Sequence, residues 1–206
     1  GNGTPVAIDE SNVAAINELF AATGVGANAG DDPATKRAEV QYVIDQNVGR
    51  LQALAKIANY ADNNGSDLAT YPAPDAADFA AAGVSGVADD NNIPALLVNL
   101  KSPDQLSNYA ATNTAAELQA FVKKVAIEKI KAWTDTDGGN SADPILQDYL
   151  NAGLVNHDDS AITAAIVPAL NELFAGSLTS AGDADDYTEQ QAVIDGAASV
   201  LAAMAK

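Results

Sequence analysis

The chain has 206 residues, 48% of them apolar but only 5% aromatic, and sets 10 Lys and Arg against 28 Asp and Glu for a formal charge of −18. That balance leaves no basic face to neutralise phosphates, which excludes nucleic acid as an expected partner and disfavours an anionic membrane surface. The absence of cysteine removes disulfides, zinc–thiolate sites and thiol nucleophiles.

The first predicted element is ESNVAAINELFAAT, where Val13, Ile16, Leu19 and Phe20 recur at helical spacing and Gly24 stops the run. GANAGDD reads as a loop. Asp32 then caps a helix with Pro33 in its first turn, and the apolar stripe Val40, Val43, Ile44, Val48, Leu51, Leu54, Ile57 predicts one helix running to Asp62, with Gly49 as a soft spot. Pro72 and Pro74 make NNGSDLATYPAPD a loop. A short helix, DAADFAAAG, ends on Gly83, and NIPALLVNL forms the next. After the KSPDQ turn and SNYAAT comes a long helix, NTAAELQAFVKKVAIEKIKAW, opened by a Thr114–Glu117 capping box. A second short helix is expected from Asp143-Pro144. SAITAAIVPALNELF and DYTEQQAVIDGAASVLAAMA, with a capping box of Asp186 and Glu189, complete the pattern. No apolar run nears the roughly 20 residues that cross a bilayer, so no membrane insertion is expected. GNGTPVAIDE carries no signal-peptide pattern, and a helical pattern still running at Lys206 is expected of a piece cut from a longer protein.

The chain repeats itself. DFAAAGVSGV at 78–87 and DYLNAGLVNH at 148–157 set Pro74 on Pro144, Asp78 on Asp148, Phe79 on Tyr149, Ala82 on Ala152 and Gly83 on Gly153. VAAINELF (13–20) matches VPALNELF (167–174), with PALLVNL in the same place between them. Glu39-Val40-Gln41, Glu117-Leu118-Gln119 and Glu189-Gln190-Gln191 mark the long helices, and KIANYADNNG coincides with KIKAWTDTDG, placing Tyr60 on Trp133. Periodicity of this kind implies an all-α chain of tandem helical repeats of about 70–80 residues, each a short, a medium and a long helix, forming bundle-like units joined in series. The expected boundaries are 1–69, lacking its short helix, 70–138, and 139–206, whose long helix is cut short.

The order KIANYAD, DFAAAGVSGV, DNNIPALLVNL, AELQAFV resembles the alanine- and aspartate-rich helical repeats of very large surface proteins of marine and other Gram-negative bacteria. The resemblance implies a secreted or cell-surface, adhesin-like protein in which such repeats are spacers or interaction modules. Its partners would be adjacent repeats of a longer chain and host, matrix or cell-surface molecules.

Catalytic constellations are absent from the sequence. His157 beside Asp158 and Asp159 has Val87 as its counterpart and no nucleophile motif with it, so it reads as a solvated loop histidine. GVGANAG misses the dinucleotide spacing and follows a helix, and no nucleophile elbow, HExxH or phosphate loop occurs. No carboxylate pair stands out as a hydrolase couple, so the chain is read as a non-enzyme without catalytic residues. Two loops could hold calcium through alternating oxygens: Asp62, Asn64 and Asp67, then Asp135, Asp137 and Asn140. Turn building and helix capping explain the same residue types and are the favoured reading. Trp133, Tyr60, Phe79 and Tyr149 read as core anchors rather than a sugar-stacking set. Asn2-Gly3-Thr4 and Asn64-Gly65-Ser66 fit the glycosylation pattern by chance. A structural or adhesive repeat region is therefore expected, with a helical module binding a peptide, glycan or small ligand as the alternative.

Overall fold

The computed structural model describes residues 10–24, 32–63, 67–87, 93–100, 114–135, 142–176 and 184–204. Among these the protein is all-helical, apart from one isolated antiparallel bridge between Val155 and Ala161. The helices are α1 (Glu10–Thr23), α2 (Pro33–Gln46), α3 (Val48–Asp62), α4 (Ala76–Ala81), α5 (Ile93–Leu100), α6 (Ala115–Asp135), α7 (Leu146–Ala152), α8 (Val167–Gly176), α9 (Tyr187–Gly196) and α10 (Ala198–Met204). No helix among the described residues is long and apolar enough to cross a membrane. The chain divides into two compact units, Gly1–Phe121 and Val122–Lys206, and the division falls inside α6.

In the first unit α1 packs on α2 and α3, and α3 packs on α4. Small and aliphatic side chains dominate the buried set: Ala15, Ile16 and Leu19 on α1, Leu51, Leu54, Ile57 and Tyr60 on α3, Phe79 on α4, Leu96 and Leu100 on α5. Alanines such as Ala53, Ala58 and Ala61, all buried, let α3 approach its neighbours closely. The core of the second unit joins Ala126, Ile130 and Trp133 of α6 to Tyr149 and Ala152 of α7, Leu170 and Phe174 of α8, Ile194 of α9, and Leu201 of α10. The four aromatics read as core anchors are all buried.

The predicted helix from Pro33 to Asp62 is broken at Asn47, two residues before the suspected Gly49. The N–H of Asn47 reaches back to the carbonyl of Ile44, three residues away instead of four, and its side-chain amide donates to the Val43 carbonyl. A side chain competing for backbone groups interrupts the ladder. The last helix is broken at Ala197, whose N–H likewise donates three residues back, to Ile194, directly after Gly196 and without a side chain to compete. Asn47 and Ala197 stand six residues after Gln41 and Gln191, whereas α6 runs unbroken through the corresponding stretch after Gln119. For the break at Asn47 a difference in length is the physical reason. Lys56 follows Gln41 by 15 positions, but Lys129 follows Gln119 by 10. Five further residues turn a continuous helix by about 500°, leaving the later side chains about 140° off the original face, and a break lets the second segment reorient.

Two helix starts lie later than expected. The second short helix begins at Leu146 and not at Pro144. The medium helix begins at Val167, after a 3₁₀ turn over Ala164–Ile166, because Pro168 has no N–H to give the carbonyl of Ala164 and the N–H of Val167 takes that acceptor instead. SNYAAT, at 107–112, lies outside the described residues.

Candidate functional site

The two short helices, α4 and α7, are held by the same contacts at matching positions. Asp78 Oδ2 lies 2.5 Å from Lys56 Nζ on α3 and accepts the N–H of Asp75 at 2.8 Å. Asp148 Oδ2 lies 2.5 Å from Lys129 Nζ on α6 and accepts the N–H of Ile145 at 2.8 Å. Each carboxylate thus caps its own helix N-terminus while neutralising a lysine from a long helix, which satisfies an orphan amide and a charge with one group. The Asp148 side chain is 3% exposed and the Lys129 side chain 19%, so this second pair is the more deeply buried. Asp75 also caps α4, accepting the Asp78 N–H at 3.0 Å, and that bond holds the Asp75 carboxyl below the usual range.

One residue after each Asp stands an aromatic with no exposed surface, Phe79 or Tyr149. Burial, with the Asp148 charge beside it, pushes the Tyr149 phenol above its ordinary range, so it stays a neutral donor to Asn171 Oδ1 at 2.6 Å. Asn171 gathers the second unit: its side-chain amide donates to the Pro144 carbonyl, and its backbone carbonyl accepts the Trp133 indole N–H at 3.0 Å. Both short helices close on a left-handed glycine, Gly83 at φ 87° and Gly153 at φ 78°. The amides of Val84 and Leu154 then fold back onto the carbonyls of Phe79 and Tyr149.

A glutamine amide grips the chain just beyond each turn. Gln119 accepts the Ser85 N–H at 2.9 Å and donates to the Ser85 carbonyl at 3.4 Å. Gln191 accepts the Val155 N–H at 3.1 Å and donates to the Val155 carbonyl at 3.0 Å. An amide side chain has the donor and acceptor of a peptide group, so it completes the backbone pairing that an extended residue would otherwise seek from a strand. The Glu-x-Gln pattern marks these glutamines in the sequence, but their role becomes visible only with α6 and α9 laid beside the turns. Lys56 and Lys129 were missed, although both open a Lys-Ile pair in the coinciding segments.

A cavity of about 200 Å³ in the second unit is lined by Asn156, His157, Asp158 and Ser160 on one side and by Ile166, Ala198, Leu201 and Ala202 on the other. Its polar wall is a tight loop. The Asn156 N–H donates to the Ser160 carbonyl, the Asn156 amide donates to Ser160 Oγ and the Ala161 carbonyl, and Asp159 turns the chain at φ 61°. The Ser160 hydroxyl, with the Ser160 N–H, bonds Asp158 and lowers its carboxyl. The Ser160 hydroxyl is thus engaged by Asp158 and Asn156, while His157 Nδ1 faces Asp195 Oδ1 at 3.8 Å with both side chains well exposed. The arrangement is a polar rim over an apolar floor, without a nucleophile–base pair.

Of the candidate metal ligands, Asp62 ends α3 and Asp135 ends α6, both exposed, while the Asp67 carboxylate accepts the Thr70 N–H at 3.2 Å. Asn64, Asp137 and Asn140 lie outside the described residues, as do Asn2, Gly26 and Gly30. No group of three metal-binding side chains occurs among the described residues. No protein-family model, curated protein or solved structure matches the chain.

Proposed function

We propose that this protein is a non-enzymatic tandem-repeat region, serving as a structural spacer or interaction module of a bacterial surface or secreted protein. The observation that carries the reading is the recurrence of one contact set: capping aspartate, buried aromatic and left-handed glycine at positions 70 apart, with their lysine partners 73 and their glutamine grips 72 apart. Each set draws its lysine from the long helix before the short helix and its glutamine from the long helix after it. A unit built this way is completed by its neighbours in the chain, which is the logic of a repeat array and places its value in extension rather than in chemistry. The acidic surface suits a chain that must stay soluble at high local concentration. A variant carrying a second copy of residues 70–138 between Gly138 and Gly139 tests it. It is expected to fold with unchanged helicity per residue and a Tm no lower than the parent, whereas aggregation or loss of helicity overturns the reading.

The cavity favours a second reading, a module that binds a small ligand. Two residues of its rim, Asn156 and His157, stand where the first short-helix phrase has Gly86 and Val87. A volume of about 200 Å³ admits only a compact molecule, one that meets a polar rim and an apolar floor. Fragment screening by amide chemical shifts of Asn156, Ser160 and Ala198 is the test, and an unshifted spectrum across a polar fragment set sinks this reading.

A further inference from the structure

The face of α2 that carries Gln41 stands at the register of two faces that are occupied. Gln119 and Gln191 each grip the extended residue after a short helix. The neighbours of those glutamines are closed off from solvent: Leu118 is 0% and Val122 1% exposed on α6, Gln190 and Ile194 are 0% on α9. Val40 and Ile44 occupy the same positions on α2 and are only partly buried. The same difference appears on the medium helices. Leu100 and Phe174 are 2% and 0% exposed, whereas Phe20, at the matching place on α1, is partly exposed. Phe174 lies 5.9 Å, ring centre to ring centre, from Tyr149, the aromatic of a short helix. Gln41 itself is exposed and makes one described hydrogen bond, to Asp45 Oδ1 at 2.8 Å, the counterpart of the 3.0 Å bond from Gln191 to Asp195. Its amide is thus held as Gln191 is held, with no backbone partner among the described residues.

We infer that Val40, Gln41 and Ile44 of α2, with Phe20 of α1, form a docking face for a short-helix segment of the chemistry of residues 142–156, supplied by another repeat of this kind. The occupant follows from the two filled examples. It brings an aromatic to cover Phe20, a left-handed glycine turn, and an extended residue whose N–H and carbonyl meet the Gln41 amide. The inference rests on the repeat reading above, since it is that register which assigns the face its partner. A fluorescein-labelled peptide of residues 142–156 titrated with the full chain, read by anisotropy and by hydrogen exchange over 40–45, tests it. Saturable binding is expected, with slower exchange over 40–45, an affinity at least tenfold weaker for Gln41→Ala, and no change for Gln52→Ala on the exposed side of α3. Absence of saturation at millimolar chain, or equal affinity in Gln41→Ala, overturns the inference. Melts of Gln119→Ala and Gln191→Ala separate the two claims. If both lower Tm while the peptide fails to bind, the docking face is wrong and the repeat reading stands; if neither lowers Tm, the repeat reading falls as well.

Discussion

Asp148 holds a helix start and a lysine with one carboxylate, and its loss would strand a charge. Asp148→Ala leaves the largely buried Lys129 ammonium without its partner and the Ile145 N–H without an acceptor. A loss of about 3 kcal/mol is expected, the scale of breaking a buried pair from one side. Urea unfolding followed by the fluorescence of Trp133, the single tryptophan, reads it in the second unit. Asp78→Ala is expected to cost less, because Lys56 and Asp78 are more exposed, at 31% and 20%. Tyr149→Phe should cost only about 1 kcal/mol, the net worth of one hydrogen bond, since the ring remains and phenylalanine is what position 79 already uses. Acid acts on several caps together. The Asp32 carboxyl is lowered by the Thr35 hydroxyl and then by backbone amides, Asp67 by the Thr70 hydroxyl, and Asp75 by the Asp78 amide. Groups with depressed folded values bind protons less well than in the unfolded chain. Their stabilisation is present above the ordinary value of 3.8 and is lost as pH falls through the folded values. Helicity at a fixed urea concentration is therefore expected to hold from pH 7 to about 4 and fall below it.

At the scale of the element, the ends and the interruption were not equally legible. Glycine after a short helix announces a left-handed stop, and Gly83 and Gly153 are where the sequence places them. Gly153→Ala should cost about 1–2 kcal/mol, read by the same urea assay, because an L side chain resists that conformation. The break at Asn47 was not legible. Asparagine is tolerated in helices, and the ladder gives way there because the Asn47 amide takes the Val43 carbonyl while α3 turns toward the neighbours it must reach. Gly49, the suspected weak point, lies inside a regular helix, and a Cβ added there would meet nothing within 4 Å. Gly49→Ala is accordingly expected to raise Tm slightly through helix propensity.

For the whole molecule, the loop acids bear on how the protein meets its surroundings. Asp62 and Asp135 end their helices and Asp67 already serves Thr70, which fits turn building. Superimposable melts in chelator, in millimolar calcium and in millimolar magnesium are expected. A calcium-specific rise of several degrees would instead assign the ion to residues 62–67 and 135–140, because a ligand of the folded state alone stabilises it.

The sequence by itself determined that the protein is helical, where most helices lie, which aromatics are buried and where the glycine stops fall. Those properties follow from local periodicity, capping chemistry and the conformational freedom of single residues. Tertiary structure alone decided the partners. Lys56 and Lys129 read as surface lysines until α4 and α7 bring carboxylates to them, and Gln119 and Gln191 read as polar helix residues until a turn is laid against each. The cavity beside His157 likewise depends on α10 coming to lie against the loop that carries Asn156 and Ser160. Such contacts join residues 19 to 36 positions apart, and no local rule of sequence specifies a distance of that kind.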